Sequence, residues 1–350
     1  MATAPSHHAL PWDGGRDAAV DLVRGVAIVC MVIAHVKVWA PTEATPVKFS
    51  LLLVNNVASP LFALIMGVSA GIVLTRRQHP VTGPTYVART VLRGLLLVVI
   101  GVGLEQLDTF VAIVLMSLGA TLVVAAPLVL LPVPVLAVGA ALTFAVGPVV
   151  NAAARGAFDP TRVHSDALVD QMLQWFVLSP HYRVVSLLPF VLIGVVLARL
   201  GLGRRVAVGS LAVGLVAGLG VVSLWLGGRG IGRSEVISGD LTDALLDLAL
   251  TGCAFGAVIA IARWPRAAPV VTVLEPVRAL GTMALTAYVL HVCLIALAMH
   301  TGDPRTPFDS WPLYAGGILL VTVLACWAWA RFVGKGPVER AMALVTDPIG

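Results

Sequence analysis

The chain has 350 residues, of which 59% are hydrophobic and only 12% charged, with a formal charge of +5 and a mean hydropathy of +0.96. So little charge excludes a soluble globule of this length, because the surface needed to solvate it is missing. The basic excess does not point to nucleic acid, since most Lys and Arg flank apolar runs, where membrane topology accounts for them.

Apolar runs bounded by charge, proline and glycine lie at residues 20–40, 49–74, 86–107, 109–131, 133–151, 183–200, 206–226, 242–262, 278–300 and 312–333. Each approaches the roughly 20 residues a helix needs to cross a bilayer, and the ~10-residue alternating strands of an outer-membrane barrel are absent. The expected fold is all-α: a polytopic transmembrane helix bundle of about ten spans in the inner or plasma membrane. The Lys and Arg asymmetry puts both termini in the cytoplasm. Residues 1–18 read as a polar cytoplasmic N-terminus, 19–335 as one transmembrane domain and 336–350 as a short cytoplasmic tail. The first run is too long and its flank too polar for a cleavable signal, so it reads as an uncleaved anchor. No internal repeat is visible.

The first run carries Asp21, Arg24 and His35. Ionisable groups are expensive in lipid and mark function or pairing. Eleven positions separate Arg24 from His35, about three turns, so both leave one helix stripe some 16 Å apart along its axis. Asp21 and Arg24, three apart, can pair near the interface, and Arg24 can also hold a phosphate or carbonyl oxygen. A neutral imidazole at His35 is suited to general base work; hydrogen-bonded packing is its structural alternative. Asn55, Asn56 and Ser59 enter the second run at a depth similar to His35, and Ser59-Pro60 frees backbone groups or kinks the helix. The segment Gly67-Val68-Ser69-Ala70-Gly71 suits close helix packing.

Arg76 and Arg77 follow the second run, and Arg89 and Arg93, one turn apart, open the third. Such groups can hold nucleotide phosphates, although the positive-inside bias alone would place most of them. Glu105 closes the third run, and Asp243 and Asp247 lie one turn apart at the start of the eighth. Glu105 and Asp247 are the candidates to orient an imidazole or bind sugar hydroxyls, against the alternative of solvating helix ends. The ninth run adds Tyr288 and a second intramembrane histidine, His291, three positions apart. Segments 152–182 and 227–241 are external connectors that can shape an entrance. Cys30, Cys253, Cys293 and Cys326 each fall in an apolar run without metal-ligand spacing, so they read as small core residues, and no metal is expected.

The stretch from Asp21 to His35 resembles the first helix of the polytopic membrane acyltransferase superfamily. Its Arg-x10-His spacing is similar to the bacterial acyltransferase-3 signature. Its Asp-x-x-Arg-Gly-x-Ala-x-x-x-Met pattern, followed by Ser59-Pro60-Leu61-Phe62 and Met66-Gly67-Val68-Ser69, resembles the catalytic domain of heparan-α-glucosaminide N-acetyltransferase. Downstream, Leu280-Gly281 through His291 and Gly336-Pro337-Val338-Glu339-Arg340 are similar to the C-terminal motifs of related bacterial inner-membrane proteins. The resemblance implies a cytoplasmic acyl-CoA donor and a carbohydrate or envelope acceptor reached from the outer face; by their placement, Arg24, Arg89, Arg93, Arg76 and Arg77 are the candidates to bind that donor. It carries over Arg24 and His35, the residues of the Arg-x10-His spacing, as catalytic; by their own placement, His291 is a second candidate imidazole, with packing as its alternative, and Asn55, Asn56, Ser59 and Tyr288 are candidate substrate or oxyanion contacts. One departure is visible: the lysosomal branch has asparagine at the position of His35 and a catalytic histidine in the following loop, whereas loop 41–48 has none. The role then falls to His35. The other functions compatible with the residues are a small-molecule transporter and a noncatalytic partner in envelope assembly.

Overall fold

The computed structural model describes residues 16–36, 39, 45–75, 82–157, 168–227, 238–301 and 311–348, with backbone alone at 45–52 and 311–313. Fourteen α-helices follow in chain order: α1 (Ala18–Val36), α2 (Thr45–Thr75), α3 (Gly83–Glu105), α4 (Leu115–Leu128), α5 (Val133–Ala157), α6 (Leu168–Leu173), α7 (Val184–Leu200), α8 (Arg204–Leu226), α9 (Leu241–Arg263), α10 (Ala268–Val273), α11 (Glu275–Thr282), α12 (Ala284–Thr301), α13 (Trp311–Phe332) and α14 (Pro337–Thr346). A π turn, Gln174–Leu178, continues α6, and a 3-10 turn, Pro265–Ala267, leads into α10. No strand occurs among the described residues. Helices satisfy their own backbone, which is why an apolar chain in lipid takes this form.

Eight of the described helices are long and apolar enough to cross a membrane: α1, α2, α3, α5, α8, α9, α12 and α13. Two more, α4 and α7, are apolar but shorter, with 14 and 17 residues. These ten match the ten hydrophobic runs. The buried centre is α1, packed against α2, α9, α11, α12 and α13. Its contact with α11 is backbone to backbone. A Cβ on Gly25 would fall 1.8 Å from the Val277 carbonyl oxygen, and one on Gly281 would fall 1.8 Å from that of Asp21. Gly67 and Gly194 bring α2 and α7 together in the same way, against Val191 and Leu64. Small residues thus set the closest crossings. At the periphery, Val135, Val138, Leu142, Val146 and Val149 form one exposed stripe on α5. In lipid such a stripe costs nothing.

Polar contacts mark two ends of the bundle. Arg263, closing α9, pairs with Asp17 before α1, and Arg199, closing α7, donates to the carbonyl oxygens of Val129 and Leu131 after α4. Arg16, Asp17, Leu202 and Arg263 line one groove there, the basic end. His35, Asn56, Arg183 and Asp243 stand towards the opposite end, because α1 starts at the basic end whereas α2, α7 and α9 finish there.

Four local expectations are corrected. The run 109–131 is helical only from Leu115; Val111, Ile113 and Val114 are buried in protein, where non-helical backbone is tolerated. The run 278–300 is two helices, broken at Met283 (φ −133°, ψ 49°), where Gly281 is pinned against α1. Pro60 does not interrupt α2, which is continuous through it. Cys293 is exposed rather than a core residue.

Candidate active site

Arg24 fastens three helices. Its Nη1 donates to Asp21 Oδ1 at 2.7 Å and to the Gly281 carbonyl oxygen at 2.9 Å, and its Nη2 donates to Ser69 Oγ at 2.9 Å. Ser69 Oγ in turn donates to the Ile65 carbonyl oxygen, and Asp21 also accepts two bonds from Arg16. The guanidinium carries five N–H groups, so a planar fork can hold α1 to α2 and α11 while still presenting a donor elsewhere.

Further along α1, His35 meets His291. Their Nδ1 and Nε2 atoms lie 2.9 Å apart, with ring planes inclined by 12°. The second nitrogen of His291, Nδ1, lies 3.1 Å from the Ala287 carbonyl oxygen. A carbonyl only accepts, so His291 Nδ1 carries the hydrogen and its Nε2 is a lone pair. In the neutral pair His35 Nδ1–H therefore donates to His291, and the basic lone pair of the dyad resides on His35 Nε2. His291 is fully buried and His35 is buried. Tyr288 stands edge-on to both rings, with centroids 5.1 Å from His291 and 6.5 Å from His35. Its hydroxyl accepts a hydrogen bond from the Val114 backbone at 3.3 Å.

A cavity of about 480 Å³ approaches this cluster from the basic end. Arg89 and Arg93 line its outer part; Arg24 and Ser69 line its wall; Met31, Val114 and Tyr288 line its inner part. The imidazoles do not line it, whereas Tyr288 lines it and stands edge-on to both rings. The C-terminal region reaches the same cavity. Arg89 Nη2 donates to the Asp347 carbonyl oxygen at 3.2 Å, and Arg93 lies 3.9 Å from the Asp347 carboxylate.

The remaining sequence candidates separate. Asn55 donates to Asn56, and Asn56 donates to Asp243 Oδ1 at 3.3 Å. Ser59 and Asp247 line a second, smaller cavity at the opposite end, and Glu105 is exposed and lines neither. Arg76 and Arg77 lie outside the described residues. No group of three or more His, Cys, Asp or Glu suited to a metal occurs among the described residues. Sequence reasoning gave no role to Glu339. Its carboxylate accepts from the backbone of Leu285 and Thr286 and from Thr286 Oγ1, at 2.8, 3.0 and 2.5 Å, and so caps α12, which carries Tyr288 and His291. Its place in the quoted Gly336-to-Arg340 motif was the signal available.

Residues 16–226, more than half of the chain, match the family model for heparan-alpha-glucosaminide N-acetyltransferase, catalytic. The chain belongs to this family. It is thus a multi-pass membrane protein of acetyltransferase type. Residues 196–347 match a second model, described as a protein of unknown function (DUF418). No curated protein is similar enough to match. His35 falls within the acetyltransferase match and His291 within the second, so the imidazole contact is made between regions that different family models describe.

Proposed function

We propose that the protein transfers an acyl group, acetyl by its family, from acyl-CoA held at the basic end to a hydroxyl or amine of an acceptor supplied from the opposite end. The observation that carries this reading is the cavity running from Arg89 and Arg93, past Arg24, to the tyrosine that covers the His35–His291 pair. Arginines at its outer part suit the phosphates of the donor, and its apolar depth suits the pantetheine arm. The positive-inside bias supports the basic end facing the cytoplasm of an inner or plasma membrane.

Chemically, His35 Nε2 takes the proton of the acceptor as its oxygen or nitrogen attacks the thioester carbonyl carbon. The tetrahedral intermediate then collapses, the carbon–sulfur bond breaks, and the imidazolium returns the proton to the leaving thiolate. His291 accepts the His35 Nδ1–H throughout and so fixes the ring's tautomer. The Tyr288 hydroxyl is the donor best placed for the oxyanion, because Asn56 is committed to Asp243. Tyr288 lines the cavity whereas neither imidazole does, so this route requires Tyr288 to turn when the donor enters.

Purified protein with acetyl-CoA and a panel of sugar and amine acceptors tests the proposal. Loss of transfer in a folded His35→Ala variant is expected, and full transfer by that variant would overturn it. Acceptor flux across vesicles without any acyl transfer would select the transporter reading instead.

A further inference from the structure

The outer part of the larger cavity is flanked by two helices. Arg89 and Arg93 line it from α3, and Ala284 and Leu285 line it from α12. The C-terminal helix, α14, is fastened to both. At its start, Glu339 accepts from the amides of Leu285 and Thr286 and from Thr286 Oγ1, while Thr286 Oγ1 accepts from the Val338 amide at 3.2 Å. At its end, Thr346 is fully buried and Asp347 meets α3. The Asp347 carbonyl oxygen accepts from Arg89 Nη2 at 3.2 Å, and its Oδ1 lies 3.9 Å from Arg93 Nη2. Eight positions separate Glu339 from Asp347, about 12 Å along a helix, so α14 straps one flank of the cavity to the other.

The two fastenings differ in kind. The Glu339 carboxylate holds three donors, two of them backbone amides at a helix start, where negative charge is favoured. The Asp347 end relies on one hydrogen bond to its carbonyl and on an ion pair whose side chains are 48% and 63% exposed. Exposed pairs of this kind hold weakly. The start of α14 is therefore an anchor and its end a clasp.

What the clasp holds gives it a consequence. Arg89 and Arg93 are the cations at the outer part of the cavity, one turn apart, and two guanidinium forks so placed suit a pyrophosphate. Asp347 offers them a carbonyl oxygen and a carboxylate, the same acceptor chemistry that a phosphate would bring. A phosphate seated on both guanidiniums would also meet the Asp347 carboxylate as a like charge. The two occupants exclude each other.

We propose that the end of α14 is an autoinhibitory clasp: Asp347 holds Arg89 and Arg93 in place of the donor's phosphates, and the donor must displace it to bind. Glu339 keeps the start of α14 anchored meanwhile, so the strap swings rather than detaches. In naming a nucleotide thioester as the displacing ligand, this rests on the function proposed above.

Acetyl-CoA titration and amide hydrogen exchange on the full-length protein in nanodiscs test it. Acetyl-CoA should speed exchange at residues 343–347 and leave 338–342 slow, whereas S-acetylpantetheine, which lacks the phosphates, should change neither. Asp347→Ala should bind acetyl-CoA about two- to fivefold more tightly, with KM for it lowered to match, kcat kept and S-acetylpantetheine affinity unaltered. Equal acetyl-CoA affinity in folded Asp347→Ala would overturn the clasp. Tighter binding with no change in exchange at 343–347 is a through-space effect of charge and would overturn it as well. Acetyl transfer is read in parallel. Transfer with the end of α14 undisturbed would keep the acyltransferase reading and remove the clasp; release of 343–347 by acetyl-CoA without transfer to any acceptor would do the reverse.

Discussion

His35 owes its proposed reactivity to a hydrogen-bond chain that ends on a backbone carbonyl. Ala287 fixes the His291 tautomer, His291 fixes that of His35, and the lone pair is left on His35 Nε2. His35→Ala should therefore lower kcat by about 10²–10⁴ without unfolding the protein, measured as acetyl transfer alongside a thermal melt. His291→Phe keeps the packing but removes the acceptor that the His35 Nδ1–H uses. It should cost about 1–3 kcal/mol of stability as well as activity, read from the same melt. At this scale the sequence was informative about type and silent about partners. Arg24 and His35 declare themselves as ionisable groups on one stripe of an apolar run. Their contacts with Gly281 and His291, 257 and 256 positions away, leave no local trace. Glu105 shows the opposite failure: a carboxylate at the end of an apolar run looks deep by position, but which way a helix face points depends on neighbours that hydropathy does not name.

Among the elements, α11 and α12 matter most. The run 278–300 reads as one span, yet the helix breaks at Met283, two residues after the close contact of Gly281 with α1. Gly281→Ala places a methyl group 1.8 Å from the Asp21 carbonyl oxygen. It must push α1 and α11 apart, so we expect a loss of at least about 1–3 kcal/mol, seen as a lower Tm, with activity falling too because Arg24 loses its grip on Gly281. Glu339→Ala removes the carboxylate that caps α12 and should cost about 0.5–2 kcal/mol, and acetyl transfer should decline because Tyr288 and His291 ride on that helix. Glu339→Gln retains an acceptor and should recover part of both.

The whole molecule joins two sequence regions that share the stretch 196–226 but divide the imidazole pair between them. The ten hydrophobic runs gave the bundle its elements because lipid imposes one periodicity on all of them. The Gly67-to-Gly71 segment was legible as a close-packing face, but its partner α7 and the contact of Gly25 and Gly281 between α1 and α11 were not, since pairing across the chain leaves no local pattern. The proposed orientation makes a simple forecast. Green fluorescent protein fused after Gly350 should fluoresce, and alkaline phosphatase fused after Gly227 should be active, because the basic end would face the cytoplasm. The reverse pattern would invert the route assigned to the donor.

The break at Met283 is latched from both sides, by Arg24 on the carbonyl of Gly281 and by Glu339 on the amides of Leu285 and Thr286. Arg24 also faces the space assigned to the donor. A pyrophosphate that drew this guanidinium towards itself would slacken one latch while the other held. The torque would fall on the first turns of the helix bearing Tyr288, so cargo arrival and the opening of its screen would become a single mechanical event.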